Sequence, residues 1–291
     1  MRLLLPPLKA VMEDKMSKYD LGLNQFDFRS ISGTKFFVLG IGGGNDVIGA
    51  YAVARLLKKG RPDSEVLYGS CLSSKKDYIG FVQIFEGLYI RDSENKELNE
   101  NHSLKSVQTL KEFDGDLCVP YVIIADDKRE AGRITKETIN YFKDYTIITI
   151  DNGGDSLTGG KDGKRRFDYR NLLCLKEMAI PFYHIILGLG CDGESDIKAI
   201  QTMLFCQKQS VLGEFSMNAV ADIFSPMLNS IRHPEREHTD TTVIIVEVRD
   251  FIGKNQTDEQ LYLVPRHERE TKVPYVWINK AVVFDGEKLV L

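Results

Sequence analysis

Short apolar runs alternate with amphipathic segments along most of the chain, and the two patterns predict different elements. Runs rich in aromatic and β-branched residues predict buried strands, whereas apolar positions spaced three and four residues apart predict helices. The predicted strands cover residues 35–39, 64–68, 121–125, 145–150, 183–187 and 242–248. The predicted helices cover residues 47–59, 135–143, 169–178, 197–210 and 216–231.

Strands that alternate with helices indicate a mainly parallel sheet that is covered by helices on both faces. We therefore predict an α/β fold, namely a Rossmann-like three-layer sandwich with antiparallel additions at the margins of the sheet. Residues 85–91 fit one such addition, a strand in a hairpin, and the Asp285-Gly286 pair between two apolar runs predicts a second hairpin.

No fixed-period repeat and no low-complexity linker divides the 291 residues, so we predict a single α/β domain over residues 1–291. Two parts of it are less regular. Residues 1–33 are interpreted as an N-terminal lead-in, and residues 69–120 as an irregular, insertion-like region.

Composition narrows the class of protein. The net charge is −4, so the chain lacks the basic excess typical of nucleic-acid binders, and its basic cluster at residues 161–166 is interpreted as a solvated loop. No apolar run is long enough to span a bilayer. The five cysteines are scattered without a CxxC pair, which argues against disulfides and structural zinc and favours a reducing, cytoplasmic setting. We predict neither a nucleic-acid partner nor a membrane partner.

Three predicted strands end in loops that are rich in both glycine and acidic residues: residues 40–46, 151–163 and 188–196. Ligands of open parallel sheets bind outside the carboxyl ends of the strands. Glycines let the backbone approach a ligand, and helix N-termini attract phosphate, whereas carboxylates repel phosphate unless a cation lies between them. The combination predicts Mg²⁺ or Mn²⁺ together with a small phosphorylated or nucleotide ligand, although a ribose or sugar, whose hydroxyls donate to carboxylates, also fits.

The first loop nearly matches the GxGxxG pattern, with Asn45 in place of the third glycine. The second predicted strand ends without an acid that could bind a ribose, which disfavours a dehydrogenase and a methyltransferase. Asp46 suits both a helix cap and a ligand contact. We expect backbone N–H groups from Gly42 to Asn45 to hold a phosphate. The ligand-binding residues assigned to this loop are Gly40, Gly42, Gly43, Gly44, Asn45 and Asp46.

The second and third loops carry most of the acids. Five glycines within eleven residues of the second loop exceed what a turn requires, whereas the acids of the third loop could simply occupy the first turn of a helix. We assign catalytic roles to Asp151, Asp155 and Asp192. The candidate metal ligands are Asp151, Asn152, Asp155, Asp192 and Glu194, and the candidate ligand-binding glycines are Gly153, Gly154, Gly190 and Gly193.

Other reactive side chains are less informative. The spacing of the five histidines selects no general acid or base, and His184, within an apolar strand, is interpreted as a core or edge histidine. Acids next to Cys191 oppose a nucleophilic thiolate there.

Three segments, in this order, resemble the hallmarks of an uncharacterised prokaryotic family catalogued as domain of unknown function 1152. They are residues 42–47, 151–157 and 188–194, and the resemblance extends over residues 35–250. It implies the fold and the location of the site, but it implies no activity. The lead-in and residues 69–120 depart from the family pattern.

The segment Asp151-Asn152-Gly153-Gly154-Asp155 is also similar to the Asp-Asn-x-Gly-acid loop of the metal-dependent phosphatases of the damage-control family. In those enzymes the Asp and Asn lie at a divalent metal. We therefore predict metal-assisted hydrolysis or transfer on a phosphorylated metabolite, nucleotide or nucleotide sugar. The alternatives are a non-catalytic nucleotide or metabolite sensor and a nicotinamide-dependent oxidoreductase, and a homo-oligomer is compatible with the sequence.

Overall fold

The computed structural model describes residues 18–42, 44–73, 80–92, 94, 102–113, 115, 117, 121–125, 137–160, 167–231, 240–255, 259–266 and 269–291. Within these residues, nine strands form one mixed sheet and two more form a separate hairpin. The strands of the large sheet are β1 (Lys35–Gly40), β2 (Glu65–Ser73), β3 (Phe81–Phe85), β4 (Leu88–Arg91), β5 (Tyr121–Ala125), β6 (Thr146–Asn152), β7 (Phe182–Leu187), β8 (Val211–Ser216) and β11 (Lys280–Asp285). The hairpin consists of β9 (Leu261–Arg266) and β10 (Arg269–Pro274).

The large sheet has the strand order β3-β4-β5-β2-β1-β6-β7-β11-β8. The five central strands from β5 to β7 are parallel, whereas β4 pairs antiparallel with β5 and β11 pairs antiparallel with β7 and β8. The chain builds outward from β1 to β2 and β5, and then from β6 to β7 on the other side of β1. The strand order therefore reverses between β1 and β6, and such a switch point is where open α/β sheets bind ligands.

Helices cover both faces of the sheet. They are α1 (Gly44–Gly60), α2 (His102–Thr109), α3 (residues 137–141), α4 (Asp155–Thr158), α5 (Phe167–Glu177), α6 (Ile197–Cys206), α7 (Asn218–Phe224), α8 (Leu228–Ile231), α9 (Thr241–Asn255) and α10 (Tyr275–Ile278). Phe36 packs under Arg61, directly after α1, whereas Phe37 packs against Phe142, directly after α3. Because neighbouring strand residues point to opposite faces, α1 and α3 lie on opposite sides of the sheet. The predicted α/β sandwich is confirmed.

The prediction of a strand over residues 242–248 is wrong, because this segment belongs to helix α9. Asp240 starts the helix, since its Oδ1 accepts a hydrogen bond from the N–H of Thr242 at 2.9 Å. Residues 241–246 are all buried, and α9 packs against α1, α7 and α10. A helix buried on most sides has the same continuous apolar, β-branched sequence as a buried strand, so periodicity alone could not separate them.

The hairpin predicted at Asp285-Gly286 is also wrong. The chain makes a 3₁₀ turn there, and β11 pairs with β7 and β8 instead. The side-chain amide of Gln207 forms hydrogen bonds with both backbone groups of Val290. Its Oε1 accepts from the N–H of Val290 at 2.9 Å, and its Nε2 donates to the carbonyl at 2.7 Å. Val290, which suggested a second strand, thus pairs with a side chain rather than with a neighbouring strand.

The region predicted to be irregular contributes to the sheet. Strand β2 continues to Ser73, and the β3–β4 hairpin, which includes the predicted strand at residues 85–91, extends the sheet beyond β5. Strand β8 and the β9–β10 hairpin were not predicted. The basic cluster at residues 161–166 and the first 17 residues lie outside the described residues. Across the described ranges, no helix is both long and apolar enough to cross a membrane.

Candidate functional site

The second and third predicted loops touch each other at the carboxyl edge of the sheet. The N–H of Gly153 donates to the carbonyl of Leu187 at 3.0 Å, and the N–H of Gly190 donates to the carbonyl of Gly153 at 2.7 Å. Gly153 has a φ of 114°. A Cβ at this position would lie 2.3 Å from Cγ of Asp192, so both the conformation and the space demand glycine.

Asp46 joins the first loop to the second. Its Oδ2 accepts a hydrogen bond from the N–H of Gly42 at 2.7 Å, and its Oδ1 accepts one from the N–H of Asn152 at 3.1 Å. This buried carboxylate therefore ties the start of α1 to the end of β6. The N–H of Gly42, which was expected to bind phosphate, is already directed at Asp46. Gly43 lies outside the described residues.

Three buried carboxylates meet where the loops converge. Asp151, Asp155 and Asp168 each offer one oxygen, and these three oxygens all lie within 4.8 Å of one another. The three residues are only 1%, 5% and 4% exposed. We refer to them as the Asp triad.

Local backbone structure accounts for the Asp triad. Asp151 lies at the carboxyl end of β6, and Gly153 and Gly154, both with positive φ, reverse the chain so that Asp155 begins α4 beside it. Asp168 lies in the first turn of α5. That helix is held on the first loop because Nδ2 of Asn171 donates to the carbonyl of Ile41 at 2.9 Å.

The carboxylates of the site act electrostatically on one another and on the neighbouring Cys191. Burial raises the pKa of Asp46, and the charges of Asp151 and Asp168 raise it further. Burial likewise raises the pKa of the Cys191 thiol, and Asp192, followed by three other acids of the site, adds to that rise. Two carboxylates about 5 Å apart repel each other by about 3 kcal/mol at an effective dielectric constant of 20. A bound divalent cation would remove this repulsion, and clustered carboxylate oxygens are ligands suited to Mg²⁺ and Mn²⁺.

The structure brings together only two of the five predicted metal ligands, Asp151 and Asp155. Asn152, the next residue of the strand, points to the opposite face, where its Nδ2 donates to the carbonyl of Asn45 at 2.8 Å and its Oδ1 faces Gly49 of α1. The place predicted for an amide ligand is therefore not at the triad.

The third loop contributes charge to the site but no member of the Asp triad. Oδ1 of Asp192 accepts a hydrogen bond from the N–H of Glu194 at 3.0 Å, and Glu194 is only partly buried. Asp192 is itself buried and lies beside Gly153.

Asp168 is the site residue that the sequence analysis missed. The predicted helix began at Tyr169, two residues too late and just beyond Asp168, whereas α5 begins at Phe167. The available signal was an acid in the first turn of a helix, but that feature normally only complements the helix dipole. The proximity of Asp168 to Asp151 depends on how α5 packs against the first loop, which the local sequence does not show.

His184 is fully buried in β7, which confirms its interpretation as a core histidine. Burial lowers its pKa to about 3, so the ring is neutral at pH 7. Nδ1 lies 2.9 Å from Oγ1 of Thr149, and Nε2 lies 3.1 Å from Oγ of Ser156, whose hydroxyl donates to Oδ2 of Asp151. Here the serine lies between the acid and the histidine and is completely buried, so it is not arranged as a nucleophile.

No protein-family model matches the chain, and no curated protein matches it either. The resemblance to domain of unknown function 1152 therefore stays a prediction. Evidence for function comes from the chemistry of the site itself.

Proposed function

We propose that the chain is a metal-dependent enzyme that hydrolyses or transfers the phosphoryl group of a phosphorylated metabolite, nucleotide or nucleotide sugar. The observation that carries the proposal is the Asp triad, buried at the switch point of the sheet. Three carboxylates in a low-dielectric position are costly unless a cation accompanies them. Ligand sites of α/β sheets also occur at this position.

The donor set of the triad fits a hard divalent cation. It consists of three carboxylates from three different elements, β6, α4 and α5, without a thiolate or an imidazole among them. Such oxygen-only sets favour Mg²⁺ and Mn²⁺ over zinc or copper. A bound cation would polarise a phosphoryl oxygen and lower the pKa of a coordinated water.

Groups near the triad suit a phosphorylated substrate. Helix α1 begins at Gly44, so its positive end lies at the same edge of the sheet as the acids. The two features are close, because a Cβ on Gly42 would lie 3.0 Å from Oδ2 of Asp168. A cation at the triad and the helix N-terminus could therefore contact the same phosphate, and the acids would orient the cation rather than repel the substrate.

A nicotinamide-dependent oxidoreductase is less compatible with this geometry. Strand β2 (Glu65–Ser73) contains no acid after its first residue, so it offers no carboxylate for a ribose hydroxyl at its carboxyl end. The acidic cluster would also repel the pyrophosphate of a dinucleotide in the absence of a cation.

Equilibrium binding of Mn²⁺, followed by electron paramagnetic resonance at neutral pH, tests the metal site. We expect one saturable site, and at least about tenfold weaker binding in Asp151→Asn, Asp155→Asn and Asp168→Asn, because each change removes a charged ligand. Asp144→Asn is the matched control, since Asp144 is exposed and precedes the other end of β6. It should bind within about twofold of the wild type.

Turnover then separates an enzyme from a sensor. Phosphate release from nucleotides, nucleotide sugars and sugar phosphates is measured with Mg²⁺ and with Mn²⁺. Failure of the wild-type protein to bind Mn²⁺ would refute the proposal. Metal-dependent binding of a nucleotide without turnover of any compound would instead favour the sensor.

A further inference from the structure

Four buried groups form a continuous line that leads from the middle of the sheet to the Asp triad. Thr149 on β6 contacts His184 on β7, His184 contacts Ser156 on α4, and Ser156 contacts Asp151. Each of the four residues is at most 1% exposed. The Nδ1–Oγ1 distance is 2.9 Å and the Nε2–Oγ distance is 3.1 Å, so both sides of the imidazole are within hydrogen-bond range.

The number of protons in this line restricts its arrangement. Ser156 directs both its backbone N–H, at 3.1 Å, and its hydroxyl at Oδ2 of Asp151. Once the hydroxyl proton is donated to the carboxylate, Oγ can only accept from the ring, so Nε2 of His184 must carry the proton. A neutral imidazole then has an unprotonated Nδ1, which accepts from the hydroxyl of Thr149. The hydroxyl of Thr149 also lies 3.2 Å from the carbonyl of Tyr183. Its single proton cannot serve both acceptors, so it is directed at the nearer Nδ1 rather than at this carbonyl.

We infer that Ser156 and His184 are positioning residues for Asp151, with His184 held as the Nε2–H tautomer. The inference rests on the proposed metal site. Two donors from one residue fix Oδ2 and thereby restrict rotation of the carboxylate about its χ2 angle. His184, itself anchored by Thr149, restricts the rotamer of the Ser156 hydroxyl.

This arrangement also explains the order of residues at the start of α4. Asp155 provides a member of the triad, and the next residue, Ser156, holds another member in place. The single turn created by Gly153 and Gly154 thus places a candidate ligand and a support for a second ligand at the same time. Hydrogen-bonded supports of this kind change metal affinity by about 10- to 100-fold when they are removed.

The first test is the tautomer of His184. Long-range ¹H–¹⁵N correlation spectra of the histidine-labelled protein, recorded at neutral pH with Mg²⁺, should show one ring with a protonated Nε2 and an unprotonated Nδ1. This signal should be absent from His184→Gln, which assigns it among the five histidines of the chain. A protonated Nδ1 with an unprotonated Nε2 would overturn the inference, because the hydroxyl of Ser156 would then donate to His184 instead of Asp151.

The second test is Mn²⁺ affinity in Ser156→Ala, which should fall by about tenfold or more. Ser210→Ala is the matched control, because it also removes a fully buried, hydrogen-bonded hydroxyl, but one that donates to the carbonyl of Gln207 near β8. It should bind as the wild type does. If Ser156→Ala does not fold, His184→Gln serves as the second variant, and it should also weaken binding.

The outcomes separate the two proposals. Unchanged affinity in Ser156→Ala, with a wild-type protein that binds Mn²⁺, would overturn the positioning role and leave the metal site intact. Absence of binding in the wild-type protein would refute the metal site, and the positioning role with it.

Discussion

Replacement of Asp168 by asparagine should stabilise the metal-free protein, although it removes a residue of the proposed site. The triad oxygens lie within 4.8 Å of one another, so each pair of charged groups costs about 3 kcal/mol at a dielectric constant of 20. Protonation of an ordinary carboxyl group at pH 7 costs about 4 kcal/mol, and this sets an upper limit on the repulsion that any one group bears. We therefore expect Asp168→Asn to raise the free energy of unfolding in EDTA by about 1–4 kcal/mol.

Divalent cations should reduce the difference in stability between Asp168→Asn and the wild type, because they stabilise the wild type more. A ligand present at a hundred times its dissociation constant stabilises the native state by about 2.7 kcal/mol. Each tenfold loss of affinity in the variant reduces that stabilisation by about 1.4 kcal/mol at saturation. The entropy of unfolding of 291 residues is about 0.6 kcal/mol per degree, so a difference of 2 kcal/mol corresponds to about 3 °C in melting temperature.

Thermal unfolding followed by circular dichroism, with EDTA and with excess Mn²⁺, measures both effects. Asp144→Asn controls for loss of a surface charge and should stay within about 0.5 kcal/mol of the wild type in both conditions. Equal destabilisation of Asp168→Asn in EDTA and in Mn²⁺ would refute the reasoning. It would mean that the carboxylates are neutralised by the chain itself and that Asp168 has a structural role.

Two further predictions concern the surroundings of the site. Gly253→Ala in α9 should stabilise the protein by about 0.5–1 kcal/mol, because a Cβ there meets nothing within 4 Å. Gly49→Ala in α1 should destabilise it by about 1–2 kcal/mol, because its Cβ would lie 2.7 Å from Oδ1 of Asn152. Urea unfolding measures both, and effects of the same sign would contradict this account. Because burial lowers the pKa of His184 to about 3, the unfolded chain binds one more proton below pH 6.5, so His184 should cost about 2 kcal/mol of stability between pH 7 and pH 5. Urea unfolding at the two pH values should show this loss of stability in the wild type but not in His184→Gln. Identical losses in both proteins would show that His184 is not their cause.

The elements that the sequence predicted correctly are those with an unambiguous local pattern. Strands β1, β6 and β7 are apolar runs that end in glycine-rich loops, and α1 follows the first of them directly. The errors arose where an apolar run fits two structures. Helix α9 is buried on most sides, so its sequence resembles that of a buried strand. Val290 pairs with the side chain of Gln207, a residue far away in the sequence. Local sequence reveals neither of these contacts.

The candidate site was predictable in location but not in detail. Strand ends of a parallel sheet share one edge, so loops that follow β1, β6 and β7 could be expected to meet. The face to which each side chain points depends on strand register, and this places Asp151 with the triad and Asn152 against α1. Asp168 enters the site through packing of α5 on the first loop, which no local pattern encodes.

The glycines and the acids of these loops are parts of one feature. The glycines were interpreted as room for a ligand, but several of them make room for carboxylates. A Cβ on Gly42 would lie 2.8 Å from Oδ2 of Asp46, and one on Gly153 would lie 2.3 Å from Cγ of Asp192. Glycine at these positions leaves space for the buried acids, but it loses more conformational entropy on folding than any other residue. Repulsion between the neighbouring carboxylates is a second cost. Both costs lower stability, and a cation bound among the acids would offset the second of them. The same cation would also attract a phosphate to this edge of the sheet. The stability of the metal-free protein and the affinity of the site for metal should therefore change in opposite directions as the acids are removed.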